Sequence, residues 1–232
     1  SKYMNLTPRL KAIASYVKEG STVADIGTDH GYVPVFLIEN KIASSAIAAD
    51  VNEGPLNNAE AYIEEKELSD KIETRLGDGL KALKPNEVDT VIIAGMGGTL
   101  IANILKESKE VADKIDRFIL QPMVASDELR KYLYNNNYKI VDEKLIREGK
   151  RIYEIICAEH GAEEVEDEIY YDIGEKLIEK NDELLKDFIE MKMNKLSNII
   201  KNLENASSTQ GKKKYEKLNR KYNQYKELID SI

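Results

Sequence analysis

The sequence predicts an α/β fold with a helical appendage, and three observations over its 232 residues carry that expectation. Between Thr22 and about Gln121, short β-rich apolar runs alternate with longer helical stretches, the pattern of a parallel sheet covered by helices. Two more extended runs, Lys139 to Ile146 and Ile152 to Glu159, face each other across a tight stretch holding Gly149 and read as an antiparallel hairpin. Beyond the acidic segment Glu163 to Glu168, apolar residues recur mostly at three- and four-residue steps, which is a helical period. The expected division is a sheet domain over residues 1–160 and an antiparallel helical hairpin, coiled-coil-like, over 161–232.

The five parallel strands are expected at Thr22 to Ile26, Ala46 to Asp50, Ile72 to Leu76, Thr90 to Ala94 and Phe118 to Gln121. Each reads as a continuous apolar run, as a strand buried on both faces does, and each ends in polar or glycine residues. A helix follows the first strand, with Pro34 in its opening turn, and another starts near Ser126. In the appendage, Ile173, Leu177, Leu184, Phe188, Met191, Leu196, Ile199 and Leu203 mark one helix. Tyr215, Leu218, Tyr222, Tyr225 and Ile229 mark a second, with Asn205 to Gly211 as the turn between them. Ligands of open α/β sheets bind beyond the carboxyl ends of the strands, so those ends are where chemistry is sought.

Composition narrows the class. The chain is 42% hydrophobic and 33% charged with a formal charge of −8, which suits one sizeable core plus a small appendage and argues against non-specific coating of nucleic acid. The single cysteine, Cys157, excludes an intramolecular disulfide and falls in the predicted last strand, so packing is its expected role. No apolar run approaches the roughly 20 residues of a membrane helix. No secretory signal is visible, so a cytoplasmic protein is expected, with Met4 as natural start and Ser1 as a scar of expression. With His30 and His160 the only histidines, a metal site is not expected. From Gly174 to Ile232 there are 13 Lys or Arg against 10 Asp or Glu, with Lys212, Lys213 and Lys214 together at the turn, so the appendage is net positive.

The most informative segment is Asp25-Ile26-Gly27-Thr28-Asp29-His30-Gly31-Tyr32, directly after the first strand and before a helix. A dinucleotide site would place a glycine where Asp29 stands, because backbone must approach an anionic pyrophosphate there. An aspartate repels that group and suits the sulfonium and ammonium of S-adenosylmethionine, so Asp25 and Asp29 favour the methyl donor. Asp50, 25 residues after Asp25 and at the end of the second strand with Val51 beside it, reads as the acceptor of ribose hydroxyls, or as an N-cap for the next helix. Gly77-Asp78-Gly79 follows the third strand and reads either as a plain turn or as an acceptor for the adenine amino group. Gly95-Met96-Gly97-Gly98 follows the fourth, where missing side chains let backbone approach both the transferable methyl and its acceptor.

Taken with Asn5-Leu6-Thr7-Pro8-Arg9-Leu10 and Gln121-Pro122, these motifs resemble the bacterial TrmK family of tRNA (adenine(22)-N1)-methyltransferases, within the Rossmann-like class I methyltransferases. The resemblance covers the whole chain, and the terminal antiparallel hairpin suits the class I sheet. Met123 departs from it, since an asparagine is expected after the Gln-Pro pair.

The resemblance implies transfer of a methyl group to adenine N1 of a tRNA, with S-adenosylmethionine as donor and S-adenosylhomocysteine as product. Asp29 is then the leading carboxylate for the charge that develops on the base, with Arg9 and His30 beside it. His30 reads equally as a cofactor contact or a turn residue, Arg9 as a phosphate or base contact or a solvated charge, and Tyr32 as packing under the cofactor or walling the base. Gly98, Gln121 and Pro122 fall on the acceptor side, and Lys212 to Lys214 form an arm for tRNA phosphates or simply a solvated face. The competing readings are a methyltransferase of the same fold acting on a small molecule or protein, and a non-catalytic nucleotide-binding protein whose helices recruit partners.

Overall fold

The computed structural model describes residues 6–232; Asn5, which opens the Asn-Leu-Thr-Pro-Arg-Leu stretch, and the Met4 start lie outside them. The chain divides into two compact units, one ending at Glu164 and one spanning Val165–Ile232.

In the first unit the elements run α1 (Pro8–Ala14), β1 (Ser21–Ile26), α2 (Tyr32–Glu39), β2 (Ala43–Asp50), α3 (Glu53–Glu65), β3 (Ile72–Leu76) and β4 (Thr90–Met96). There follow α4 (Gly98–Glu107), α5 (Lys109–Ala112), β5 (Arg117–Pro122), α6 (Ser126–Asn135), β6 (Tyr138–Glu148) and β7 (Arg151–His160). The strands form one seven-stranded sheet in the order β3-β2-β1-β4-β5-β7-β6. β1 to β5 are mutually parallel, while β7 is antiparallel to both of its neighbours. The five-plus-two sheet expected from the sequence is therefore the sheet observed, a Rossmann-like mixed sheet, with β3 as expected and the other strands extended by one to three residues at one or both ends. β3 is not buried on both faces as expected: it is the edge strand, with Ile72 buried and Glu73 and Leu76 exposed.

Side-chain alternation gives the sheet two apolar faces. One, carrying Val23, Ile92, Ile119 and Ile155, packs under α1, α2 and Ile63 of α3. On the other, Val91, Ile93, Phe118 and Leu120 are fully buried, with α4 and α6 in contact with that half of the sheet. The β6–β7 connection is a two-residue loop, Gly149-Lys150, entered at φ +61° by Gly149, a conformation that favours glycine. Within this layer Arg130 of α6 is wholly buried, with Nε 2.8 Å from Glu143 Oε1 and Nη2 2.8 Å from Glu154 Oε1.

The second unit contains α7 (Ile169–Asp172), α8 (Glu175–Glu179), α9 (Leu185–Leu203) and α10 (Thr209–Ser231). Leu185, Phe188, Ile189, Leu196, Ile200 and Tyr225 are buried, and α9 packs on α10 across a connection of only five residues, which makes neighbouring long helices antiparallel. The first helix is not continuous from Ile173 as the apolar spacing suggests. Asn181 adopts φ +51°, Asp182 N–H donates to Leu177 O at 3.0 Å, and Asp182 Oδ1 accepts from Leu184 N at 2.9 Å. That left-handed stop ends α8 and restarts the chain as α9. The turn is also shorter than expected, because Ser208 caps α10 by accepting from Gly211 N–H at 2.9 Å.

Candidate active site

The carboxyl ends of the parallel strands open onto a cavity of about 590 Å³, within the range of small-molecule sites. Its floor is the turn after β1. Gly27 and Thr28 N–H groups both donate to Ala49 O of β2, at 2.9 and 3.0 Å, so the turn is pinned to the neighbouring strand. Gly27 sits at φ +75°, a left-handed conformation that favours glycine, and a Cβ there would also have to displace the flexible end of Met96, whose Cε lies 2.6 Å away.

Three carboxylates surround the turn. Asp25 is buried and accepts from the Thr28 hydroxyl at 3.0 Å. Burial pushes its pKa up to about 7; the Thr28 hydrogen bond opposes that rise, and the charges of Asp50 and Asp29 add to it. Asp50, also buried, accepts from Asp29 N–H at 3.3 Å through Oδ2 and from Asn52 N–H at 3.0 Å through Oδ1. It is not the N-cap of α3; Asn52 holds that position. Asp29 takes the left-handed φ of +58°, and its side chain is 65% exposed, aimed away from the core with His30 Nε2 3.5 Å from Oδ2. Aspartate tolerates that backbone better than most side chains. His30 stacks on Tyr32 at 5.0 Å, and Tyr32 meets the edge of Tyr62 at 5.3 Å.

Arg9 reaches the same cavity from α1. Its Nη1 donates to Gln121 Oε1 at 2.9 Å, its Nε lies 3.7 Å from Glu148 Oε2, and its guanidinium stands 5.6 Å from the Tyr153 ring centre. Gln121 is fully buried and its amide fully engaged: Oε1 also accepts from Gly95 N–H at 3.0 Å, and Nε2 donates to Pro122 O and to Met123 Sδ.

The structure thus brings to the cavity Arg9, Asp25, Gly27, Thr28, Asp29, His30, Tyr32, Asp50, Val51, Asp78, Gly79, Gly95 and Met96. It does not bring Gly31, Gly97, Gly98, Gln121 or Pro122 to the wall. Gly31 is the N-cap of α2 and packs on Ala59, while Gly97 caps α4. Gly98 donates to Val124 O at 2.7 Å and lies so close to Ala125 that an added Cβ would fall 2.1 Å from its carbonyl oxygen. Lys212, Lys213 and Lys214 are exposed near the start of α10, in the second unit.

Sequence reasoning missed Glu148 and Tyr153, which line the cavity from the hairpin. Their place follows from strand direction. β7 is antiparallel to β5 and to β6, so β6 runs parallel to β5 and ends, with its turn, at the same edge as the other carboxyl ends. It also missed Met123 as lining, together with Leu100 and Ile104 of α4, which supply an apolar wall. Cys157 is fully buried, and burial pushes its thiol up to about 11, which leaves it protonated near neutrality. Among the described residues, no group of three or more His, Cys, Asp or Glu is placed to hold a metal ion.

The strand order and the acid-lined cavity across the ends of β1, β2 and β4 define a Rossmann-like methyltransferase. Residues 6–156 match the family model described as a methyltransferase domain. The chain is similar to the tRNA (adenine(22)-N(1))-methyltransferase of Bacillus subtilis (strain 168), 40% identical over 158 residues that span 68% of this chain and 66% of that protein. Among solved structures it is similar to the B. subtilis m1A22 tRNA methyltransferase TrmK, at 32% identity and a TM-score of 0.89 over 97% of this chain and 99% of the other. It is likewise similar to a Streptococcus pneumoniae protein in complex with S-adenosyl-L-methionine, at 31% identity and a TM-score of 0.88 over 97% of this chain and 100% of the other. The chain belongs to the TrmK family.

Proposed function

We propose that this protein transfers a methyl group from S-adenosylmethionine to N1 of the adenine at position 22 of tRNA. The observation that carries the reading is the set of three carboxylates, Asp25, Asp29 and Asp50, around one glycine turn in a protein with the relatives described above. This donor set suits a cationic, ribose-bearing ligand and repels a pyrophosphate. Asp50 retains acceptor capacity beyond its two backbone partners for ribose hydroxyls, the open backbone at Gly95 and Met96 admits the methionine end, and Asp78 accepts from the adenine amino group. S-adenosylmethionine supplies an electrophilic methyl on sulfur; the N1 lone pair forms the new C–N bond as the C–S bond breaks.

The residues of this chain position the base and meet its new charge. Methylation leaves the adenine cationic. Asp29, exposed to the cavity while its backbone is tied to Asp50, stabilises that charge and receives a proton from the exocyclic amine. Arg9, held by Gln121 and Glu148, and the His30–Tyr32 stack flank the acceptor, with Leu100 and Met123 supplying the apolar side. Lys212 to Lys214 serve as a further phosphate contact, and the protein acts in the cytoplasm; among the described residues no helix is long and apolar enough to cross a membrane.

The test incubates the protein with labelled S-adenosylmethionine and unmodified tRNA transcripts, followed by nucleoside mass spectrometry. 1-Methyladenosine at one D-arm position is the expected product. Binding of the donor with no label in any tRNA would overturn the acceptor assignment.

A further inference from the structure

The acidic floor of the cavity poses a problem for an RNA substrate. Asp25, Asp29 and Asp50 attract a cationic cofactor but repel phosphates, so a nucleotide can enter only base first, with its backbone held on the rim by cations. The protein as a whole carries a formal charge of −8, which makes any such cations a local feature.

The tip of the β6–β7 hairpin supplies them. Glu148 and Arg151 are cross-strand partners, and Tyr153 follows two residues later, so all three share one face of the hairpin. That face is the cavity side, because Glu148 and Tyr153 line the cavity. Arg9 and Arg151 both bring a guanidinium to the Tyr153 ring, at 5.6 and 6.0 Å from its centre. Glu148 is turned inward to Arg9, accepting from its N–H at 3.3 Å. Lys150 and Arg151 are exposed, and among the described residues no carboxylate pairs with either.

We propose that this hairpin tip is an RNA-backbone contact: Lys150 and Arg151 bind phosphates next to the target nucleotide, and Tyr153 lies between that contact and the cavity as a stacking surface for an unstacked base. Guanidinium forks and aromatic rings are the groups that hold phosphates and splayed bases of RNA. The proposal rests on the tRNA reading above and names the surface that delivers the acceptor.

The test uses the full chain and a Lys150→Gln/Arg151→Gln variant, with a Lys150→Glu/Arg151→Glu variant to reverse the charge. Affinity for an unmodified tRNA transcript is read by fluorescence anisotropy across a salt series, donor affinity by calorimetry, folding by thermal unfolding, and methyl transfer in parallel. The neutral variant is expected to bind tRNA about tenfold more weakly, and the slope of log affinity against log salt is expected to fall by about 1.8, the loss of two phosphate contacts. Donor affinity and the rate at saturating tRNA stay unchanged, and the reversed variant loses more. Unchanged tRNA affinity and salt slope in a folded variant overturn the proposal. Weakened, less salt-dependent tRNA binding in the variants, beside a wild type that binds tRNA but methylates none of it, sinks the catalytic reading and leaves the hairpin contact supported. A wild type that binds no tRNA overturns both.

Discussion

Gln121 Oε1 accepts two hydrogen bonds at once, from Arg9 Nη1 at 2.9 Å and from Gly95 N–H at 3.0 Å. One buried amide therefore ties the N-terminal helix to the end of β4, and it sets where the Arg9 guanidinium stands without itself facing the cavity. Gln121→Ala is expected to lower kcat by about 10- to 100-fold through loss of that position. It should also cost about 1–3 kcal/mol of stability, because the buried Pro122 carbonyl loses its donor and Gly95 N–H its acceptor. Steady-state kinetics and urea unfolding read the two effects separately, and an unchanged kcat would refute the positioning role.

Asp29 and Asp50 are coupled by a backbone hydrogen bond yet present their carboxylates differently, one exposed to the cavity and one buried. Asparagine tolerates the left-handed backbone at position 29, so Asp29→Asn tests charge without strain. We expect donor affinity to survive and transfer to fall by about 100-fold. Asp50→Ala removes the partner of two N–H groups and should weaken donor binding. Equal donor affinity in Asp50→Ala and wild type would remove the ribose assignment.

The buried Asp25 makes the fold sensitive to pH in a defined window. Burial raises its carboxyl from the ordinary aspartate value of 3.8 to about 7 on folding, so between those values the folded state binds more protons than the unfolded one. The contribution is complete below about pH 4, is lost as pH rises through about 7, and is flat above. Thermal unfolding across this range should show that slope, and Asp25→Asn should flatten it. A cationic donor favours the ionised form, so its binding should release protons near pH 7, visible by calorimetry in buffers of different ionisation enthalpy.

The buried Arg130 pairs with Glu143 and Glu154, each at 2.8 Å. Arg130→Met leaves two buried carboxylates facing each other without it and should cost about 3–5 kcal/mol in urea unfolding. Replacing all three by apolar side chains of similar volume is expected to restore most of that. A single variant as stable as wild type would show that the network contributes little.

Much of this architecture is legible in the sequence, for physical reasons. A strand buried on both faces leaves an unbroken apolar run, and Val91-Ile92-Ile93 or Phe118-Ile119-Leu120 needs no tertiary knowledge to read. The cavity floor is legible because it is local: Asp25 to Tyr32 is one turn, and its charges state their preference for a ligand before any folding. What the sequence hides depends on register. Glu148 and Tyr153 reach the cavity because β6 is parallel to β5, and no local pattern declares the direction of an edge hairpin. Gln121 and Gly98 are named by motif but act inside the protein, since burial of a side chain or a backbone contact with Ala125 is a three-dimensional fact. The stop at Asn181 escapes because Leu177 and Leu184 stay in phase across it, two helical turns apart.

The Arg130 network has a consequence for descent as well as for stability. A lineage that changes one of its three members first passes through a protein with an uncompensated charge in its interior, and the penalty falls on each of the three possible first steps. The apolar alternative lies across a valley, not down a slope. Mutation one residue at a time should therefore keep these positions locked together while the solvent-facing residues around them drift.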